Sequence, residues 1–176
     1  MGEHQIESRE NKGLLQYDAC QIIEALIPYK TTSTFAMLGV TNHDLWRGDK
    51  NFIAGLADQD NSTGVFSFCR LDVKFPDGVN WNVPPEKEAE AWLKRSCRVM
   101  CHELAHMFGL KHCIYYECMM NGSNGPFEGV RRPNVTMCPV CLTKLQMNIK
   151  FDAKARFERL IEVSLELGFE ESARSY

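Results

Sequence analysis

No run of apolar residues in this 176-residue chain approaches the roughly 18 needed to cross a bilayer as a helix, so no membrane partner is expected. There is no long basic tract and the formal net charge is −3, which argues against nucleic acid as a partner. The opening stretch MGEHQIESRE lacks the apolar segment of a secretory leader. It also lacks the hydroxyl residue that N-myristoylation needs, because Ile6 stands in that place. Internal repeats and low-complexity tracts are missing as well. With no leader, the expected compartment is intracellular and reducing, the cytoplasm or the nucleus, where disulfides are not expected. The glycosylation-like triplets at Asn61, Asn121 and Asn134 then carry no meaning.

What the chain has in quantity is cysteine, eight in all. Cys113, Cys118, Cys138 and Cys141 fall in one stretch that ends in a Cys-x-x-Cys. In a reducing compartment, such a cluster more often binds metal than forms disulfides. Cys20, Cys69, Cys97 and Cys101 are scattered and read as small buried hydrophobes. A length of 176 residues with 44% hydrophobic and 24% charged residues suits one soluble domain, or two small lobes around a cleft.

Along the chain, LLQYDACQIIEALI at 14–27 has helical spacing and is stopped by Pro28. Residues 34–41, 52–57 and 65–71 read as strands, with turn chemistry in DQDNSTG between the last two. KFPDGVNWNVPPE at 74–86 reads as a loop, with Pro85 suited to the first turn of the helix that follows. That helix runs from about Glu86 to Phe108. Glu86, Glu88 and Glu90 sit where its dipole favours acids, and Gly109 ends it. About thirty residues without periodicity follow, then a helix near 152–167 with Gly168 as its stop. The expected fold class is α/β (α+β): an upper part over about 1–109, and a small lower part over about 110–176.

His102 and His106, four apart, share one helical face. Glu103 stands beside them, Gly109 lets the chain turn back, and His112 can approach the same ion. A His-Glu-x-x-His pair alone arises by chance, but the added Gly109 and His112 at fixed spacing make chance a poor account. Three imidazoles leave one zinc position open for water, the arrangement of catalytic sites. Glu103 is the candidate general base. His4 and His43 have no such partners. Cys113, Cys118, Cys138 and Cys141 (C-x4-C-x19-C-x2-C) would fill a tetrahedral shell completely, as structural zinc sites do. Alternation along the chain would point His112 and Cys113 apart, so two neighbouring ions with separate ligands are expected.

Met119 and Met120 follow, in MMNGSNG. A His-Glu-x-x-His-x-x-Gly-x-x-His helix followed by Met in a tight turn looks like a metzincin. The full string from His102 to Cys141 resembles the archaemetzincin (archaelysin) family of metallopeptidases. The resemblance implies a compact metzincin-like fold with a twisted, mostly parallel mixed sheet, an active-site helix and a small zinc-stapled C-terminal part. It implies catalytic zinc on His102, His106 and His112, Glu103 as base, Met120 as the Met-turn residue and structural zinc on the four cysteines. It also implies a substrate-pairing antiparallel edge strand, for which Gly64, Val65, Phe66, Ser67, Phe68 and Cys69 are the candidates. The expectation is a zinc-dependent peptidase with two zinc ions per chain, monomeric, acting on peptide or protein. The alternative is a non-catalytic zinc-binding scaffold, against which the intact Glu103 counts.

Two features depart from the resemblance. Some metzincins carry a Tyr two residues after the Met, where this chain has Gly122; Tyr115 and Tyr116 are close in sequence, but nothing local gives either that role. A metzincin sheet also usually begins with a strand ahead of its first long helix. Only about thirteen polar residues precede the helix expected at 14–27, so an N-terminally shortened form is expected.

Overall fold

The computed structural model describes residues 5–72, 75, 87–122 and 136–176. Two units divide the chain: Met1–Asn80 with Val99–Gly109, and Trp81–Arg98 with Leu110–Tyr176. The long helix is thus shared between them.

The first unit opens with a hairpin of β1 (Ser8–Asn11) and β2 (Leu14–Asp18). Its two-residue turn places Lys12 and Gly13 at φ 51° and 78°, the positive values such a tight connection demands. Asp18 ends β2 and caps α1 (Ala19–Leu26) directly, its carboxylate accepting from the N–H groups of Cys20 at 2.7 Å and Gln21 at 3.4 Å. Pro28 lies in a single 3-10 turn after α1, as its lack of an N–H requires. Residues 14–18 are therefore strand, not the first turns of a helix. The strand expected to be missing ahead of the first helix is present.

The remaining strands are β3 (Met37–Thr41), β4 (Asp44–Arg47), β5 (Lys50–Ile53), β6 (Gly55–Asp58) and β7 (Thr63–Ser67). They form two mixed sheets, ordered β1-β2-β4-β5 and β3-β7-β6. Among the described residues, only the β2–β4 and β3–β7 pairings are parallel. The sheets are not mostly parallel, because short turns join β1 to β2, β4 to β5 and β6 to β7, and such turns reach only an antiparallel neighbour. The stretch 52–57, expected as one strand, breaks at Ala54 and feeds both sheets. Ala19, Ile23, Leu45 and Val65 form the apolar core between α1 and the strands, flanked by Tyr17, Ile22, Ile27, Ile53 and Leu56.

β2 and β4 escape a pattern reading because each buries a polar residue, Gln16 in β2 and Asp44 in β4. Gln16 is fully buried while Leu15 is exposed. The Gln16 amide donates to Asp44 Oδ2 at 2.7 Å and to the Asn51 carbonyl at 2.8 Å, and its oxygen accepts from Arg9 Nε at 2.8 Å. Arg70 grips Asp44 through both carboxylate oxygens at 2.9 and 2.8 Å, and lies over the ring of Phe52. Breaking such a pair leaves a buried charge uncompensated. Arg70→Ala is therefore expected to cost about 3–5 kcal/mol in denaturant unfolding, far more than an exposed pair such as Arg159–Glu162 would.

Helix α2 (Glu88–Met107) ends one residue earlier than the sequence suggests, and Gly109 follows at φ +81°. The loop expected at 74–86, with Pro85, lies outside the described residues apart from Phe75. Beyond α2 the second unit holds α3 (Pro139–Ile149), α4 (Ala153–Glu166) and α5 (Glu170–Ser175). Asp152 caps α4 through the N–H groups of Lys154 and Ala155, and Gly168 at φ +75° follows its end. Helix α3 was hidden by its own cysteines: Cys138 is the N-cap, and Pro139 takes the first helical position.

Candidate functional site

Four residues of helical rise bring His102 and His106 together, with their Nε2 atoms 3.0 Å apart. The Gly109 N–H bonds the His106 carbonyl at 2.8 Å, closing the helix. His112 follows, exposed, and the ligand atoms of the three histidines all lie within 4.8 Å of one another. Zinc held tetrahedrally at 2.0–2.1 Å needs nitrogens about 3.4 Å apart, so this donor set fits the ion.

Glu103 is largely buried, and burial alone lifts its carboxyl to about 7. Its room comes from Gly55, the first residue of β6. A Cβ there would lie 2.8 Å from Glu103 Cγ and 3.1 Å from Cδ. The carboxylate arm thus packs against the start of a strand, a neighbour no local pattern announces.

The four cysteine sulfurs form a second group within 4.8 Å, all buried. Cys113 Sγ and Cys138 Sγ are 3.8 Å apart. That is the spacing, about 3.8 Å, of two sulfurs bound at 2.3 Å on a tetrahedral ion, and far beyond a disulfide. Backbone donors converge on these sulfurs. Cys118 Sγ accepts from Cys138 N at 3.2 Å and Met120 N at 3.4 Å, and Cys138 Sγ from Cys141 N at 3.5 Å. Burial works against a Cys113 thiolate, but the N–H groups of Tyr115 and Tyr116 and the neighbouring thiols outweigh it and hold Cys113 at about 7. Cys141 is pushed up by burial and by the crowding of the other sulfurs. Four such thiols ionise together only around a cation, which again fits zinc. Tyr115 and Tyr116 act here through their backbones, while their side chains are exposed.

Met120 is fully buried and Met119 nearly so. The Cys113 N–H donates to the Met120 carbonyl at 2.8 Å, and the Met119 N–H to the Thr136 carbonyl at 2.8 Å. Asn121 clasps the loop. Its amide donates to the carbonyls of Cys113 at 2.7 Å and Tyr116 at 2.8 Å, and its oxygen accepts from Cys118 N at 2.8 Å.

The candidate substrate strand needs correction. Gly64, Val65, Phe66 and Ser67 belong to β7, which is bonded to β3 on one side and β6 on the other. Phe68 and Cys69 lie beyond its end, with Cys69 in a 3-10 turn. A strand with both edges taken cannot pair with a substrate. Its continuous apolar run marks the middle of a sheet, whose edges among the described residues are β3 and β6.

A helix with two histidines one turn apart, a third just past its glycine stop, and a four-cysteine cluster beyond them define a metal-binding class. The chain belongs to peptidase family M54, whose family model matches residues 24–147. It is 34% identical over 173 residues to Archaemetzincin-2 of Pongo abelii, covering 86% of this chain and 47% of that protein. The chain thus spans about half the length of the relatives it matches. Among solved structures, the archaemetzincin of Methanopyrus kandleri aligns with a TM-score of 0.61 and 31% identity, over 77% of this chain and 67% of that one. The archaemetzincin of Archaeoglobus fulgidus, solved with malonate, gives 0.55 and 28%, over 73% and 69%.

Proposed function

We propose that this chain is a zinc-dependent peptidase with two zinc ions, one on His102, His106 and His112 and one on the four cysteines. The observation that carries the proposal is the three-histidine donor set around the same turn of helix as Glu103. Zinc bound there would supply Lewis acidity, polarising a peptide carbonyl and acidifying water. The protein's own residues do the rest. Glu103 takes the proton of the attacking water on its carboxylate and passes it to the leaving amine. Helix α2 fixes His102 and His106 before any ion arrives. The four cysteines hold the loop after His112 and the start of α3 in place. Met120 supplies the floor of the turn.

For the substrate strand, β6 replaces the first candidate. An extended peptide adding to its outer edge would pair with Gly55–Asp58, bringing the chain alongside Glu103 at Gly55. The β6–β7 hairpin sets that register. Its turn is held by the Asn61 side-chain amide on Asp58 at 2.7 Å, the leading cause that keeps the Asp58 carboxyl below its usual value.

A peptide-library digest with purified protein tests the reading, with and without a zinc chelator. Cleavage that chelator abolishes and added zinc restores is expected. A fully zinc-loaded protein that cleaves nothing in the library would overturn it in favour of a scaffold.

A further inference from the structure

Gly122 is a glycine whose backbone does not require one. Gly13, Gly48, Gly109 and Gly168 adopt positive φ values, and Gly122 is not among them. What a side chain at 122 would meet is the third histidine. A Cβ there would lie 2.9 Å from His112 Nδ1 and 3.2 Å from its Cε1 and Cγ, the three nearest heavy atoms. Non-bonded contacts between such atoms settle near 3.5–4.0 Å. The imidazole therefore already fills the space that the first side-chain carbon would take.

Neither backbone is placed to yield. Cys113, next to His112, donates its N–H to the Met120 carbonyl at 2.8 Å, and its own carbonyl accepts from Asn121 Nδ2 at 2.7 Å. Asn121, next to Gly122, donates its N–H to the Cys118 carbonyl at 3.0 Å. Moving either segment would strain these bonds and disturb Cys113 and Cys118 in the sulfur cluster. The relief left is rotation of the His112 ring, which carries its nitrogens away from those of His102 and His106.

We infer that Gly122 is a positioning residue for the third histidine: its bare Cα is the surface on which the His112 ring rests, and this sets the direction of the ring nitrogens. The inference rests on His112 being a metal ligand. Four full-length proteins test it: parent, Gly122→Ala, His112→Ala and the double variant. Zinc affinity of the histidine site is read by chelator competition, and its geometry by the absorption spectrum of the cobalt(II) form. Gly122→Ala is expected to weaken the site by about 10–100-fold, as loss of a ligand's orienting support does, and to shift the cobalt bands of the histidine site while leaving the sulfur-to-cobalt bands. In the His112→Ala background the same change should do neither. If Gly122→Ala fails to fold, the double variant should fold, because the colliding ring is gone. Unchanged affinity and spectrum, an equal loss in both backgrounds, or a double variant that stays unfolded would each overturn the inference. A parent that takes up no metal on its histidines would instead sink the functional reading. Thermal melts of the same four proteins then decide the contact: Gly122→Ala must lower Tm only where His112 is present.

Discussion

Glu103→Gln is expected to lower kcat/KM for peptide hydrolysis by about 10²–10⁴-fold, the range over which general base catalysis acts. The amide matches the carboxylate in size, so the side chain still fits the space left by Gly55, where Cγ stands 2.8 Å from a built Cβ. It cannot take a proton. His102, His106 and His112 are untouched, so zinc content should equal the parent's. The loss should appear in kcat, with KM nearly unchanged, because a peptide bound along the proposed β6 edge would keep contacts that the substitution leaves intact. Stopped-time assays on any peptide recovered from the library digest, with zinc measured on the same sample, check this. Turnover at the parental rate would remove Glu103 from the role of base.

Cys141→Ser is expected to cost far more stability than His106→Ala. Apart from the four cysteines, the buried apolar side chains among the described residues after Gly109 are Leu110, Met119, Met120, Leu145, Phe169 and Ala173. So few apolar side chains would leave this stretch dependent on zinc at the cysteines, and four-sulfur zinc contributes an apparent 10–16 kcal/mol in small zinc-finger peptides. Even a loss of about 3 kcal/mol would lower Tm by roughly 6–12 °C in a chain of this size. His106 sits on a helix formed without the ion, so its removal should empty the catalytic shell and leave the fold. Melts of both variants at matched zinc, with metal counted per chain, give the comparison. The assignment of structural and catalytic roles is wrong if His106→Ala melts lower than Cys141→Ser.

Both donor clusters were legible because their information is local. Helical rise alone brings His102 and His106 together, a glycine stop turns the chain so that His112 follows, and the short Cys-x-x-Cys spacing starts α3 with two sulfurs at one point. The helices α2 and α4 were legible for the same reason: acidic residues at their N-terminal ends and a glycine just past their C-terminal ends are local signals. The strands were less so. β7 reads as apolar, yet its place in the middle of a sheet depends on β3, 26 residues earlier in register (Met37 opposite Thr63). β2 reads as helix because its buried residue is Gln16, and the burial of that amide NH2 is explained by Asp44 and Asn51, 28 and 35 residues away.

The sequence by itself determined the donor sets, the helix that carries two of the histidines and the family those spacings mark. Tertiary structure alone decided that β7 is internal and β6 an edge, that Gly55 makes room for Glu103, and that Gly122 makes room for His112. Ligand spacing follows from the repeat of a single helix. A missing Cβ acts only through the side chain that comes to fill its place, and nothing in the local pattern says which side chain that is.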